Sequence, residues 1–266
     1  MNEIFLNLEF ATQKVVGIAK DAGAFIRNER ADFSKARVEK KHAHDYVSYV
    51  DKESEKMIVE RLHELCPEAG FLTEEGSTTV SGKAYTWIID PLDGTTNFIH
   101  DVAPYCVSIA LKKDDEMILG VVYEICRDEC FYAWKDSAAY MNGKEIHVSE
   151  VAEADDSFIS LGLPYNSDAY HDMATHLVDE CYGHVGGIRT VGAAAAELCY
   201  VAAGRFDARV EAFLSPWDIA AGVLIVQQAG GKVTDFAGNP CPLSAEQVLA
   251  SNGKIHPFLL SKVKSI

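Results

Sequence analysis

Basic residues are scarce in this chain of 266 residues, and its apolar runs are short. Lys and Arg number 24 against 40 Asp and Glu, a formal net charge of −16. A surface of that sign repels nucleic acid and anionic lipid, so neither is an expected partner. An anionic substrate would need the local sign reversed, and a bound cation does that most simply. No apolar run reaches the roughly 18 residues of a membrane span. The opening segment MNEIFLNLEFATQK carries acids early and lacks the basic, then apolar, then small-residue layout of a secretory signal. The seven cysteines are odd in number and contain no C-x-x-C, which reads as reduced thiols in a cytoplasmic protein.

Several catalytic signatures are missing as well. Gly82-Lys83 is followed by Ala84, and position 77 is Ser, so no G-x-x-x-x-G-K-[ST] loop exists. There is no G-x-G-x-x-G opening a helix after a strand, and no G-x-S-x-G elbow. His63-Glu64 continues Leu-Cys-Pro, without the second histidine of a zinc helix. No D-x-D pair marks an aspartyl-phosphate enzyme. The chemistry therefore falls to carboxylates.

What is present is an ordinary globular composition, 48% apolar and 24% charged. At about 150 residues per domain, the length suits one large unit built of two joined halves, about 1–150 and 151–266. Residues from about 4 to 29 place Leu8, Ala11, Val15, Ile18, Ala22 and Phe25 at helical spacing. The polar, basic stretch ADFSKARVEKKHAHD reads as a mobile loop, His42 and His44 included. A second helix is predicted from Asp51 to Cys66, with Met57, Ile58, Leu62 and Leu65 inward and Pro67 as its stop. YTWIID, YCVSIALKK, MILGVVYEI, ECFYAWK and AAYM then form an antiparallel meander. Beyond about residue 150, strands (SFISLG, GIRTV, DARVEAF, KVTDF, VLAS) alternate with helices around 167–183, from 193, from Pro216 to Ala229 and from about 254. That half reads as α/β.

The richest segment is Trp87-Ile-Ile-Asp-Pro-Leu-Asp-Gly-Thr-Thr-Asn-Phe98. Asp90 ends an apolar strand, Pro91 turns the chain, and Asp93 returns three residues later. Gly94 allows close backbone approach, and Thr95 and Thr96 offer hydroxyls and N–H groups suited to phosphate. Two carboxylates so close repel unless a cation lies between them, and Mg²⁺ favours such oxygen ligands. Glu74-Glu75 follows an apolar pair. Asp51 and Asp218 sit at helix starts, where capping alone is a sufficient explanation for each.

WIIDPLDGTTNF and SPWDIAAG (residues 215–222) resemble the two signatures of the inositol monophosphatase family. DYVSYVD, LTEEG and Val191-Gly192 with its alanine run resemble three further segments, in the family's order along nearly the whole chain. The resemblance implies a mixed α/β fold of layered α-β-α-β-α type, with an antiparallel sheet in the first half and a second sheet in the other. It implies Mg²⁺-dependent hydrolysis of a phosphate monoester, inositol monophosphate first, by a homodimer with two or three ions per site. Glu74, Asp90 and the Leu92 carbonyl would hold one ion, and Asp90, Asp93 and Asp218 another. Asp51, Glu74 and Thr95 form the implied catalytic set. Gly94, Thr95, Thr96, Ala193, Glu211 and Lys40 form the implied substrate side, Lys40 lying near a weaker third ion. Tyr165 and Asn166 would line a substrate loop.

Some positions depart from the pattern. Thr73 replaces a glycine, Ala193 replaces a Thr or Ser, and Glu197 is an added acid, read either as facing the site or as a solvated helix position. Fructose-1,6-bisphosphatase, histidinol phosphatase and phosphoadenosine phosphatase share the implied metal site and stand as alternatives. A non-catalytic interaction or regulatory protein on the same fold is the alternative from another class.

Overall fold

The computed structural model describes residues 7–33, 38–42, 45–76, 78, 80–164, 167–240 and 246–263. Helix α1 (Leu8–Ala31) starts at Asn7, whose side chain accepts the Phe10 N–H. Its buried stripe is Ala11, Val15, Ile18, Ala22 and Ile26. Ile26 rather than Phe25 completes the stripe, because the four-residue step from Ala22 keeps it on the inward face. The polar stretch read as a mobile loop instead pairs two strands, β1 (Val38–His42) and β2 (Asp45–Ser48), in antiparallel register. A two-stranded ribbon can be held by backbone pairing, so its polar composition hides it. Lys40 falls in β1, but its side chain, like that of His42, lies outside what the structure describes, and His44 lies outside altogether. Helix α2 (Tyr49–Leu65) begins two residues before the expected start, capped by Ser48.

A seven-stranded sheet follows in chain order: β3 (Gly70–Thr73), β4 (Tyr85–Asp93), β5 (Cys106–Lys113), β6 (Glu116–Glu124), β7 (Glu129–Trp134), β8 (Ala139–Met141) and β9 (Lys144–Ile146). Its pairs are antiparallel except β3–β4, which is parallel and makes the sheet mixed. The short helix α3 (Thr95–His100) leaves the end of β4.

The second sheet has the order β11 (Gly187–Arg189), β10 (Phe158–Leu161), β12 (Ala208–Ala212), β14 (Gln247–Ser251), β13 (Lys232–Thr234). Helices α4 (Ser167–Cys181) and α7 (His256–Val263) cover one face of it. Helices α5 (Ala194–Ala202) and α6 (Pro216–Gln228) fill the space between the sheets. Every residue of α5 is buried, as a helix packed on all sides requires.

Three apolar cores separate the layers. The first joins α1 and α2 to one face of the large sheet through Val15, Ile58, Trp87 and Ile109. The second holds Ala110, Phe131, Leu198, Ile225 and Val248 around α5 and α6. The third sets Leu161 and Val210 against Leu177 and Leu259. The order is therefore α-β-α-β-α, as expected. Arg205, in the turn after α5, forks onto Glu129 of β7 with two 2.6 Å bonds and lies against the Phe131 and Tyr200 rings. At the start of α7, the buried His256 ring bridges Thr234 Oγ1 (3.1 Å) and Ser251 Oγ (2.8 Å). The six described cysteines are free thiols. Among the described residues, no helix is long and apolar enough to cross a membrane.

Candidate active site

Strand β4 runs buried through the large sheet and ends in Asp90-Pro-Leu-Asp93. Its pairing with β5 shifts between Asp90 and Asp93, which breaks the pleat where the two carboxylates emerge. The Leu92 N–H donates to Asp90 Oδ1 at 2.9 Å and fixes the turn. Gly94 then takes φ +86° and caps α3. A Cβ there would lie 3.0 Å from the Pro104 carbonyl and 3.1 Å from Ala193 Cβ. Both the backbone angle and the space demand glycine.

Helix α2 braces this turn from below. Asp51 is the third residue of its first turn, and Oδ2 accepts the Ser48 N–H (2.8 Å) and hydroxyl (2.6 Å). The Thr95 hydroxyl lies 3.0 Å from both Asp51 Oδ1 and the Leu92 carbonyl. One turn along, the Ser54 hydroxyl donates to the Pro91 carbonyl at 3.1 Å, and Glu55 Oε2 accepts the Glu75 N–H at 2.8 Å. Asp51, Ser54 and Glu55 are all fully buried. Sequence reading found Asp51 and missed the other two. Their signal was the i+3, i+4 spacing from Asp51, which puts all three on one helix face.

Glu74, Asp90, Asp93 and Asp218 converge. The Glu74 carboxyl lies against that of Asp90. Burial first, then the charges of Glu74, Asp93 and Asp218, hold Asp90 well above the usual carboxylate range. Asp93 is also raised, by burial, against hydrogen bonds from the Cys106 thiol (3.3 Å), the Ala195 N–H (2.8 Å) and the Ala194 N–H (3.0 Å). Asp51 is raised by burial, which its Ser48 and Thr95 hydrogen bonds oppose. Asp218 closes a capping box, its Oδ2 accepting the Ser215 N–H at 2.7 Å. It serves its helix and the carboxylate group together.

A buried carboxyl with a second carboxyl against it needs a proton or a cation between them. The donors are hard oxygens, the ligand type that Mg²⁺ takes. Among the described residues, no three Asp, Glu, His or Cys side chains are grouped so as to hold a metal ion; the four carboxylates are neighbours that repel.

A cavity of about 360 Å³ opens beside them, lined by Asp93, Gly94, Thr96, Glu211, Phe213 and Asp218 among others. Asn97 closes its far side, donating to the Pro104 and Val191 carbonyls at 2.9 Å each. Ala193, at the start of α5, is 1% exposed and reaches the cavity edge. Tyr165 and Asn166 lie outside the described residues.

Glu197 is not a solvated helix position. It is 1% exposed, and its Oε1 accepts the Gly192 and Ala193 N–H groups at 3.0 and 3.2 Å. Its Oε2 meets Arg209, which is 2% exposed, at 2.5 Å. Arg209 in turn pairs with Glu211. Sequence reading missed Arg209; the alternation of charge in Ala-Arg-Val-Glu-Ala was the available signal.

The inositol monophosphatase family model matches residues 7–266. An inositol-1-monophosphatase from Mesorhizobium japonicum is 36% identical over 94% of each chain. The Nus factor SuhB of Pseudomonas aeruginosa is 39% identical over 92% of this chain and 93% of its own. The solved IMPase structure from Thermotoga maritima superposes with a TM-score of 0.88 at 34% identity, covering 97% of this chain and 96% of that one. The signature turn at the end of β4, the capped Asp218 helix and the layered fold thus have one common source: the chain belongs to the inositol monophosphatase family.

Proposed function

We propose that the protein is a phosphatase that hydrolyses a phosphate monoester, inositol monophosphate first among them, with Mg²⁺. The observation that carries this reading is the group of four neighbouring carboxylates, Glu74 and buried Asp90 with Asp93 and Asp218, the last two of which line an open cavity. Glu74, Asp90 and the Leu92 carbonyl would hold one ion, and Asp90, Asp93 and Asp218 a second. When bound, such ions acidify coordinated water and offset phosphate charge.

The chain's own groups supply the positioning. Asp51 holds the Thr95 hydroxyl, which orients the attacking water. The Gly94 and Thr95 N–H groups, which a helix start leaves without intrahelical acceptors, would seat phosphate oxygens. Water adds to phosphorus, the ester P–O bond breaks, and the alcohol leaves with a proton. In-line displacement of this kind needs no covalent enzyme intermediate. Glu211, at the opposite wall, would accept hydrogen bonds from hydroxyls of the leaving alcohol. A homodimer is the assembly we propose, checked by light scattering against the 29.2 kDa chain mass.

Phosphate release from inositol 1-phosphate, fructose 1,6-bisphosphate, histidinol phosphate and phosphoadenosine phosphate, each with Mg²⁺ and with EDTA, tests the reading. Mg²⁺-dependent release led by inositol 1-phosphate supports it. Release led by another ester keeps the reaction and replaces the substrate. The relative that carries the name of a Nus factor favours a second reading, an interaction or regulatory protein on this fold. Silence with every ester would select that one.

A further inference from the structure

Strand β12 alternates. Ala208, Val210 and Ala212 enter the core under α4 and α7, so Arg209 and Glu211 share the opposite face. Ser160 of β10 stands in register with Arg209. The guanidinium touches three partners: Ser160 Oγ at 3.2 Å, Glu197 Oε2 at 2.5 Å and Glu211 Oε2. The Ser160 hydroxyl also contacts Glu197. This is a buried polar row in an otherwise apolar layer.

Stability is a poor reason for such a row, because apolar residues of similar volume commonly replace buried ion pairs without loss. Its geometry serves something else. All three ionic members border the cavity, but Arg209 and Glu197 are almost wholly enclosed, whereas the Glu211 side chain retains 16% exposure. Arg209 takes Oε2 and leaves Oε1 over Gly162, where a Cβ would overlap the carboxyl. The bare glycine makes the room that the carboxylate occupies. Two carboxylates share one guanidinium, so this wall stays negative. It suits hydroxyl donors and opposes a second phosphate.

We infer that Arg209, held by Glu197 and Ser160, is a positioning residue that aims Glu211 at the hydroxyls of the leaving alcohol and thereby selects polyol monoesters. The inference rests on the phosphatase reading above. Phenyl phosphate, which has no hydroxyls to offer, reports catalysis without the wall.

The experiment compares kcat and KM for inositol 1-phosphate and phenyl phosphate, with Mg²⁺, in the wild type, R209M, R209K, E197Q, E211Q and R209M/E211Q. Melting temperature is followed alongside. The ratio of kcat/KM for the two esters is expected to fall roughly tenfold in R209M, mainly through KM for the inositol ester, as for loss of one charge-assisted contact. R209K should recover part of it, because an ammonium lacks the planar fork. The double variant should fall no further than E211Q, since the two residues act as one unit. An unchanged ratio in R209M, a parallel loss on both esters, or a double variant equal to the product of the singles would each overturn the inference. Should R209M fail to fold, E197Q, which unpins Arg209 while keeping it, must show the same fall or the inference is lost. A wild type silent on both esters refutes the phosphatase reading itself. A wild type active on phenyl phosphate but without preference for the inositol ester refutes only the role of the wall.

Discussion

Asp93 and Glu197 divide the start of α5 between them: Asp93 accepts the Ala194 and Ala195 N–H groups, and Glu197 accepts those of Gly192 and Ala193. Four successive donors that a helix start leaves open are thus satisfied by carboxylates. One belongs to the acidic group at the end of β4 and the other to the wall around Glu211. Exchanging the Asp93 carboxylate for an amide removes a charge from one side and one of two N–H acceptors from the other. Asp93→Asn is therefore expected to lose more than roughly 100-fold in Mg²⁺-dependent turnover and also to melt at lower temperature. Enzyme assays and calorimetry on one preparation check both.

The repulsion around Asp90 predicts a ligand effect on stability. At a free Mg²⁺ concentration about one hundredfold above Kd, linkage gives about 2.7 kcal/mol, a shift of several degrees for a chain of this size. Melting in Mg²⁺ and in EDTA measures it. In EDTA, Asp90→Asn should melt no lower than the wild type, because the substitution relieves like-charge repulsion, and its response to Mg²⁺ should be lost. Equal wild-type melting in both buffers would contradict a divalent site.

Thr95 offers a separable test. Its hydroxyl bonds to Asp51 and the Leu92 carbonyl, whereas the side chains proposed to hold the ions are Glu74, Asp90, Asp93 and Asp218. Thr95→Val should cost about 10²-fold in kcat while the Mg²⁺-induced rise in melting temperature persists. Thr95→Ser, which keeps the hydroxyl, should recover most of the rate.

His256 sets a pH limit. Burial lowers its pKa to about 4 from an ordinary 6.5, with the nearby Lys232 charge adding to the effect. The unfolded chain therefore binds a proton below pH 6.5 that the folded chain refuses until about pH 4. Stability is fully present above 6.5 and falls through that window, by up to about 3 kcal/mol from this residue. Urea titrations at pH 7.5 and 5.0 should show the loss, and His256→Asn should flatten the dependence. An equal slope in the variant would assign the loss to other groups.

The legible part of this molecule was the local part. The turn from Asp90 to Thr95, the Ser215–Asp218 capping box and the helical stripe of α1 are each written within about sixteen consecutive residues. Their physics is short-range, so their text is short. Arg209 and Glu197 were not legible as partners, because twelve positions and a change of layer separate them. Composition, moreover, argues that such charges face water. Strand β3 was too short to show a period, and the ribbon of β1 and β2 has little apolar alternation to read. Glu55 drew no reading from the sequence, and only the packing places it under Glu75.

The buried start of α5 restrains how the cavity can change shape. It is tied to β4 through Asp93 and, by way of Glu197 and Arg209, to β12. Spreading the two sheets apart would break both ties at once, which opposes a hinged opening of the cleft. Traffic in and out is left to the rim, where Leu163 and Phe213 stand about half exposed. Under the proposed hydrolysis, those two residues are the threshold that substrate and product cross.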